Sequence, residues 1–189
     1  MPIPAPNHAS QKYSGELIQV WNWEQELFDG TSHTFECVIR PDAVTVIPFL
    51  NRDTVLLTKQ EQPGKEPFMD FPGGRIDPGE FAEQAAMREL EEETGYSAAT
   101  IFEWQHKKHA GIVRFEETLF LAQLGSRGEM HQDPGEKIEV IKLPWKEVVQ
   151  LCLDQRLRNI SAMMLVLQVT FNPATAERFE AFRKQLPLA

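Results

Sequence analysis

Residues 71–96, FPGGRIDPGEFAEQAAMRELEEETGY, put a glycine- and proline-rich loop directly ahead of a helix that ends in a crowd of acids. Ala82, Ala86 and Leu90 recur at four-residue intervals with Phe81 and Ala85 beside them, an apolar stripe that has to be covered by a sheet. Gly95 stands where a left-handed C-cap closes a helix. Glu89, Glu92 and Glu93 share one face of such a helix, and Glu91 points elsewhere. Like charges at that spacing, near the helix end where negative charge is least stable, cost about 1–2 kcal/mol. A domain stable by only ~5–15 kcal/mol registers that cost.

Two readings account for the crowd. One is a solvated acidic face. The other is a site for a hard divalent cation, which takes oxygen ligands from a few carboxylates, water and substrate phosphates. The loop PGGRIDPGE favours the second, because glycine backbone can approach a phosphate closely or offer a carbonyl to a metal. Arg88 can neutralise part of the cluster when no ion is bound.

The rest of the chain reads as strands around this helix. Residues 1–14 read as a loose leader, and 17–27, LIQVWNWEQEL, as a strand. FDGTSH turns the chain into a second strand, TFECVIR. AVTVIPFL and TVLLTKQ, joined by NRD, read as a hairpin, and a short extended piece follows between two Gly/Pro loops. Strands are expected at about 98–105, 112–123 and 137–142, followed by the helices WKEVVQLCLDQ, ISAMMLVLQ and TAERFEAFRKQ. An α/β or α+β sandwich results.

A net charge of −9 argues against nucleic-acid or anionic-membrane binding through bulk electrostatics. It allows an anionic small molecule, since a bound cation inverts the local field. Cys37 and Cys152 lack metal-ligand spacing and read as free thiols in a reducing compartment. MPIPAPNHAS carries no basic start and no apolar run, and AMMLVLQVTF is too short to span a bilayer. A cytoplasmic protein is expected.

Gly74, Glu80, Arg88-Glu89-Leu90, Glu92-Glu93 and Gly95 together resemble the Nudix box without a break. Tyr96 departs from it, where the family usually has an aliphatic residue. The resemblance implies a Nudix fold: an α/β/α sandwich with a mixed central sheet, here with an N-terminal antiparallel strand extension. It implies cleavage of a diphosphate joined to another group, with Mg²⁺ (Mn²⁺ as substitute) as cofactor. Glu89 and Glu93 would be the main metal ligands, Glu92 would serve a second ion or its water, and the Gly73 carbonyl would complete the set. Glu80 and Arg88 would orient the helix and its carboxylates.

Over about residues 16–170 the chain is most similar to the ADP-ribose and nucleoside diphosphate sugar pyrophosphatase branch. That likeness divides it into a leader and strand pair, 1–40, used for dimerisation, and a hydrolase domain, 41–189. It implies a homodimer in which Trp21, Trp23 and Phe35 stack on the base across the interface, although strand aromatics also pack in cores. Arg40 is a candidate for phosphate or base, or for a surface ion pair. Arg75 in the glycine loop, Gly111 and Arg114 are further substrate-binding candidates, and Lys107, Lys108 and His109 lie beside the last two. In the loop GEMHQDPGEKIEV the branch places a glutamate that acts as base or positions water; Glu136 matches best and Glu139 second.

Two departures leave ADP-ribose exclusivity open. Gln60-Glu61-Gln62 stands where many relatives have a Gln-aromatic-Arg triplet, and Ala110-Gly111 where they have Pro-Gly. The expected reaction is hydrolysis of nucleoside diphosphate sugars, ADP-ribose among them, to a nucleoside monophosphate and a sugar phosphate. Its rivals are hydrolysis of nucleoside triphosphates or dinucleoside polyphosphates, and a non-catalytic nucleotide-sugar sensor.

Overall fold

The acid-bearing helix, α1 (Ala82–Thr94), lays Ala85, Ala86 and Leu90 on a sheet, as its apolar stripe requires. It ends at Gly95, whose φ of 72° is the left-handed cap, with the Gly95 N–H donating to the Glu91 carbonyl. Phe81 differs from expectation. It is the N-cap residue, 75% exposed, because the chain enters the helix there and the ring falls beyond the sheet. The computed structural model describes residues 5–131 and 134–188. Its other helices are α2 (Trp145–Leu153), α3 (Ile160–Phe171) and α4 (Pro173–Arg183).

The strands are β1 (Ser10–Ser14), β2 (Gln19–Glu26), β3 (Ser32–Ile39), β4 (Ala43–Phe49), β5 (Thr54–Glu61), β6 (Phe68–Asp70), β7 (Tyr96–Ala110), β8 (Val113–Arg127) and β9 (Lys137–Pro144). β8 is the axis. β7 runs antiparallel along one edge of it, while β3 and then β4 run parallel along the other. Strands buried on both faces read as continuous apolar runs, and alternation divides their residues. Val44, Val46, Leu56, Phe120 and Ala122 face α1. Ile47, Phe49, Val55, Leu57, Leu119 and Leu121 face Val148, Leu165, Val166 and Phe179 of the other helices. Phe49 sits 5.5 Å from Trp145 and 5.8 Å from Phe179, ring centre to ring centre. The expected α/β/α sandwich is thus observed.

The β4–β5 hairpin closes only at its turn, where Phe49 pairs with Val55. Beyond that point β5 pairs with β9 along its length and with β6. The reason lies in the glycine loop, which takes the vacated edge of β4. Val46 N–H donates to Pro72 O, Val44 N–H to Gly74 O, and Ile76 N–H to Asp42 O, each at 2.9 Å. Only glycine fits this approach, since a Cβ on Gly73 would strike the Val44 carbonyl oxygen. The splay opens a cleft between β4 and β5.

At the N-terminal end, β1, β2 and β3 form an antiparallel extension. The leader reading fails over Ser10–Ser14, a strand exposed at every position. Backbone pairing to β2 holds it, and SQKYS has no apolar alternation to announce it. Residues 1–4 of that leader lie outside the described residues. Cys37 and Cys152 are free and buried. Among the described residues no helix is long and apolar enough to cross a membrane.

Candidate active site

Each acid of α1 has its own answer to the crowding. Glu91 is exposed. Glu93 is 5% exposed and accepts from Gln60 Nε2 at 3.1 Å and from the Gly73 N–H at 3.2 Å. Burial, and then the charge of Glu89, push its carboxyl up to about 9. Burial also raises Glu89. A Cβ on Gly74 would displace the Glu89 carboxylate from its place.

Arg88 binds the rest together. Its Nε and Nη2 grip the two Glu80 oxygens at 3.0 Å each, and Nη1 reaches Glu89 at 2.9 Å and Glu92 at 3.0 Å. Nη2 also donates to the Arg75 carbonyl, which ties the helix to the glycine loop. These bonds, led by those to Arg88, hold Glu80 below the usual carboxylate range and push Arg88 up. Arg88 thus takes the neutralising part expected of it.

The cleft, about 600 Å³, runs from these acids along the splayed strands. Glu89, Glu93, Gly73, Gly74, Arg75, Arg40, Gln60, Gln62, Lys65 and Glu136 line it. Glu136 accepts from Gln62 Nε2 at 2.9 Å. Glu139 is exposed on β9, paired across to Lys59, and does not line this cleft.

The far wall is a polar network on the α3 side. Asn159 caps α3 by accepting from Ala162 N–H, and its Nδ2 donates to Glu117 at 2.8 Å and Thr45 at 2.9 Å. Glu117 lies 3.1 Å from His109 Nε2. His109 stacks on Phe115 at 4.2 Å, and the Arg40 guanidinium lies 4.5 Å from the same ring centre. Arg158 lies 4.6 Å from the centre of Phe68.

Asp70, on β6, accepts from the Phe71 N–H at 2.9 Å in this wall, and burial pushes it up to about 7. The unfolded chain releases this proton near 3.8 while the folded chain keeps it until about 7, so the group's effect lowers stability as pH rises through that window. Asp70→Asn removes the penalty and keeps an acceptor oxygen for the Phe71 N–H. Its stability gain in urea unfolding is expected to be larger at pH 8 than at pH 5, by roughly 2–3 kcal/mol. An equal gain at both would show that Asp70 titrates normally.

Other candidates fall outside the cleft of their own chain. Trp23 is buried against Phe35, 6.0 Å away, and the Arg114 guanidinium lies 5.2 Å from its ring centre. Trp21 shares that strand, its Nε1 donating to Gln19 at 3.1 Å. Gly111 sits in the β7–β8 turn, and Lys108 pairs with Glu116 at 2.9 Å. Sequence reasoning missed Gln62, Asp70, Glu117 and Asn159. One signal was available: Thr58 and Gln60 continue the core-facing side of β5 after Leu56 with polar groups, and Gln62 follows at the same spacing just past its end.

Comparison with known proteins places this geometry in a family. Residues 39–165 match the NUDIX domain model. The chain belongs to the Nudix hydrolase family. It is 30% identical over 155 residues to an ADP-ribose pyrophosphatase of Bacillus subtilis, covering 75% of this chain and 78% of that one. It is 28% identical over 158 residues to the ADP compounds hydrolase NudE of Escherichia coli, covering 79% and 84%. The crystal structure of an ADP compounds hydrolase shares the fold, with a TM-score of 0.71 at 24% identity over 87% of this chain and 94% of that one.

Proposed function

We propose that the protein hydrolyses the diphosphate of ADP-ribose and related nucleoside diphosphate sugars, giving a nucleoside monophosphate and a sugar phosphate. The observation that carries this reading is that Glu89 and Glu93 of α1 open, with Glu136, into one cleft. The names of the two full-length relatives support the adenosine diphosphate class.

The residues fit a hard divalent cation. Their donors are oxygens only, and burial drives Glu89 and Glu93 toward protonation, so a cation beside them relieves what the fold imposes. Mg²⁺ takes few protein ligands and keeps water and phosphate oxygens. Glu89, Glu93, Glu92 and the Gly73 carbonyl would hold Mg²⁺ or Mn²⁺, which when bound neutralises diphosphate charge and acidifies a water.

The chain's own groups then have separate tasks. Glu136 accepts the proton of the attacking water. Arg75 and Lys65 offer positive charge to the phosphates, and Arg40 offers a guanidinium to phosphate or base. Glu80 and Arg88 fix the carboxylates. A homodimer would bring Trp21 and Phe35 of a second copy to the base, while Trp23, expected beside them, is buried in its own chain under the Arg114 guanidinium; the exposed Tyr13, Leu17, Ile18, Phe28 and Phe35 of the extension support an interface there. The partner is a small molecule in the cytoplasm, with no nucleic acid or membrane involved.

The test is a panel of ADP-ribose, other nucleoside diphosphate sugars and nucleoside triphosphates with Mg²⁺, read by phosphate products. AMP and ribose 5-phosphate from ADP-ribose are expected. Pyrophosphate from a triphosphate, with no AMP from ADP-ribose, would overturn the reading, and no turnover at all would indicate a sensor.

A further inference from the structure

Gln62 lines the cleft with bonds that the proposed reaction has not yet used. Its Nε2 donates to Glu136 at 2.9 Å and to Gln60 Oε1 at 3.3 Å, while its Oε1 accepts from Lys65 Nζ. Gln60 repeats the pattern one step deeper: its Nε2 donates to Glu93 at 3.1 Å and to Thr58 Oγ1 at 3.0 Å. Two side-chain amides therefore connect the loop carboxylate of Glu136 to the buried carboxylate of Glu93.

The direction of this chain is fixed by chemistry. An amide has two N–H donors and one acceptor oxygen. Turning Gln62 over would set its carbonyl against the Glu136 carboxylate and its NH₂ against the Lys65 ammonium. Turning Gln60 over would set its carbonyl against Glu93 and leave its NH₂ facing the Gln62 NH₂. Each flip opposes like groups, so the two amides lock each other. Gln60 is 4% exposed and Gln62 half-buried, which shields both from competing water.

The charge balance is also particular. Both ends of this run of amides are carboxylates, Glu136 at one and Glu93 at the other. A guanidinium between them would hold them but neutralise them. Neutral amides hold them and leave their charge for a cation and a water proton. Residues 62–65 and 134–136 also face each other across a small cleft at the mouth, with Gln62 joining the two sides.

We propose that Gln62 is the positioning residue for Glu136, holding the loop carboxylate at the acids of α1 through donors that carry no charge. This rests on the hydrolysis proposed above. The contribution belongs to turnover rather than substrate affinity, because Gln62 orients the proton acceptor.

The test is a kinetic double-mutant cycle with ADP-ribose and Mg²⁺, on wild type, Gln62→Met, Glu136→Gln and the double variant. Gln62→Met is expected to lower kcat about 10-fold or more with KM within about 3-fold. The double variant should be no slower than Glu136→Gln alone, within about 3-fold. Should Gln62→Met melt early, Gln62→Glu keeps the shape but sets a carboxylate against Glu136 in place of the donor, so its kcat loss must be at least as large. Losses that multiply in the double variant, or a Gln62 variant with wild-type kcat, would overturn the positioning role while leaving the hydrolysis standing. An inactive wild type would overturn both.

Discussion

Glu93→Gln is expected to lower turnover of ADP-ribose by about 10³-fold, roughly 4 kcal/mol of barrier, and to leave the fold intact. The substitution suits the site. Glu93 is buried with one oxygen facing Gln60 Nε2 and the other facing the Gly73 N–H. A glutamine of the same shape keeps an acceptor oxygen for the Gly73 N–H at the cost of one neutral hydrogen bond, since its NH₂ then faces Gln60 Nε2. What it removes is the charge, and charge is what a diphosphate-bound cation needs from that position. The metal-free melting temperature should therefore match or exceed that of wild type, while kcat collapses. A variant that keeps more than about a tenth of wild-type kcat would remove Glu93 from the metal's ligands. One that loses its fold would make Glu93 a structural acid.

Arg88→Met has the second large effect, and it falls on stability as well as activity. The methionine keeps much of the aliphatic stem but drops the bonds to Glu80, Glu89, Glu92 and the Arg75 carbonyl. Glu89 and Glu80, whose side chains are 15% and 17% exposed, then lose their shared counter-charge. Removing one partner of such a half-buried network costs roughly 2–3 kcal/mol after allowing for solvent at the 30% exposed Arg88 side chain. For a chain of 189 residues that corresponds to a fall in Tm of about 4–12 °C. Added Mg²⁺ should recover part of the loss in thermal melts, and recover more for the variant than for wild type, because a cation can stand in for the missing guanidinium. A variant that melts like wild type would show the ion pairs to be surface decoration.

How much of this was legible in the chain depends on how far apart the interacting residues lie. Glu89, Glu92, Glu93 and Arg88 occupy one helix, whose 3.6-residue period fixes their shared face. Gly95 announced the helix end, and apolar runs announced β4, β5 and β8. The polar wall was not legible: Asn159 joins Thr45 and Glu117 across separations of 114 and 42 residues, and no local pattern encodes that meeting. The β4–β5 splay was hidden for a related reason. A hairpin and a splayed pair have the same alternation, and the choice is made by the glycine loop competing for the edge of β4. Glu136 was legible as a candidate through its loop, but its link to Glu93 runs through Gln62 and Gln60, which in the sequence mark only a departure from the Gln-aromatic-Arg triplet of many relatives. β1 escaped notice because backbone pairing holds it with every side chain exposed.

The most direct test of the central claim is calorimetric titration of Mn²⁺ into wild type and Glu93→Gln, each with a methylene-bridged, non-hydrolysable ADP-ribose analogue present. Binding to wild type that weakens 10-fold or more in the variant is expected. Equal binding to both proteins, or none to either, would contradict the assignment of the α1 acids as the seat of the cation.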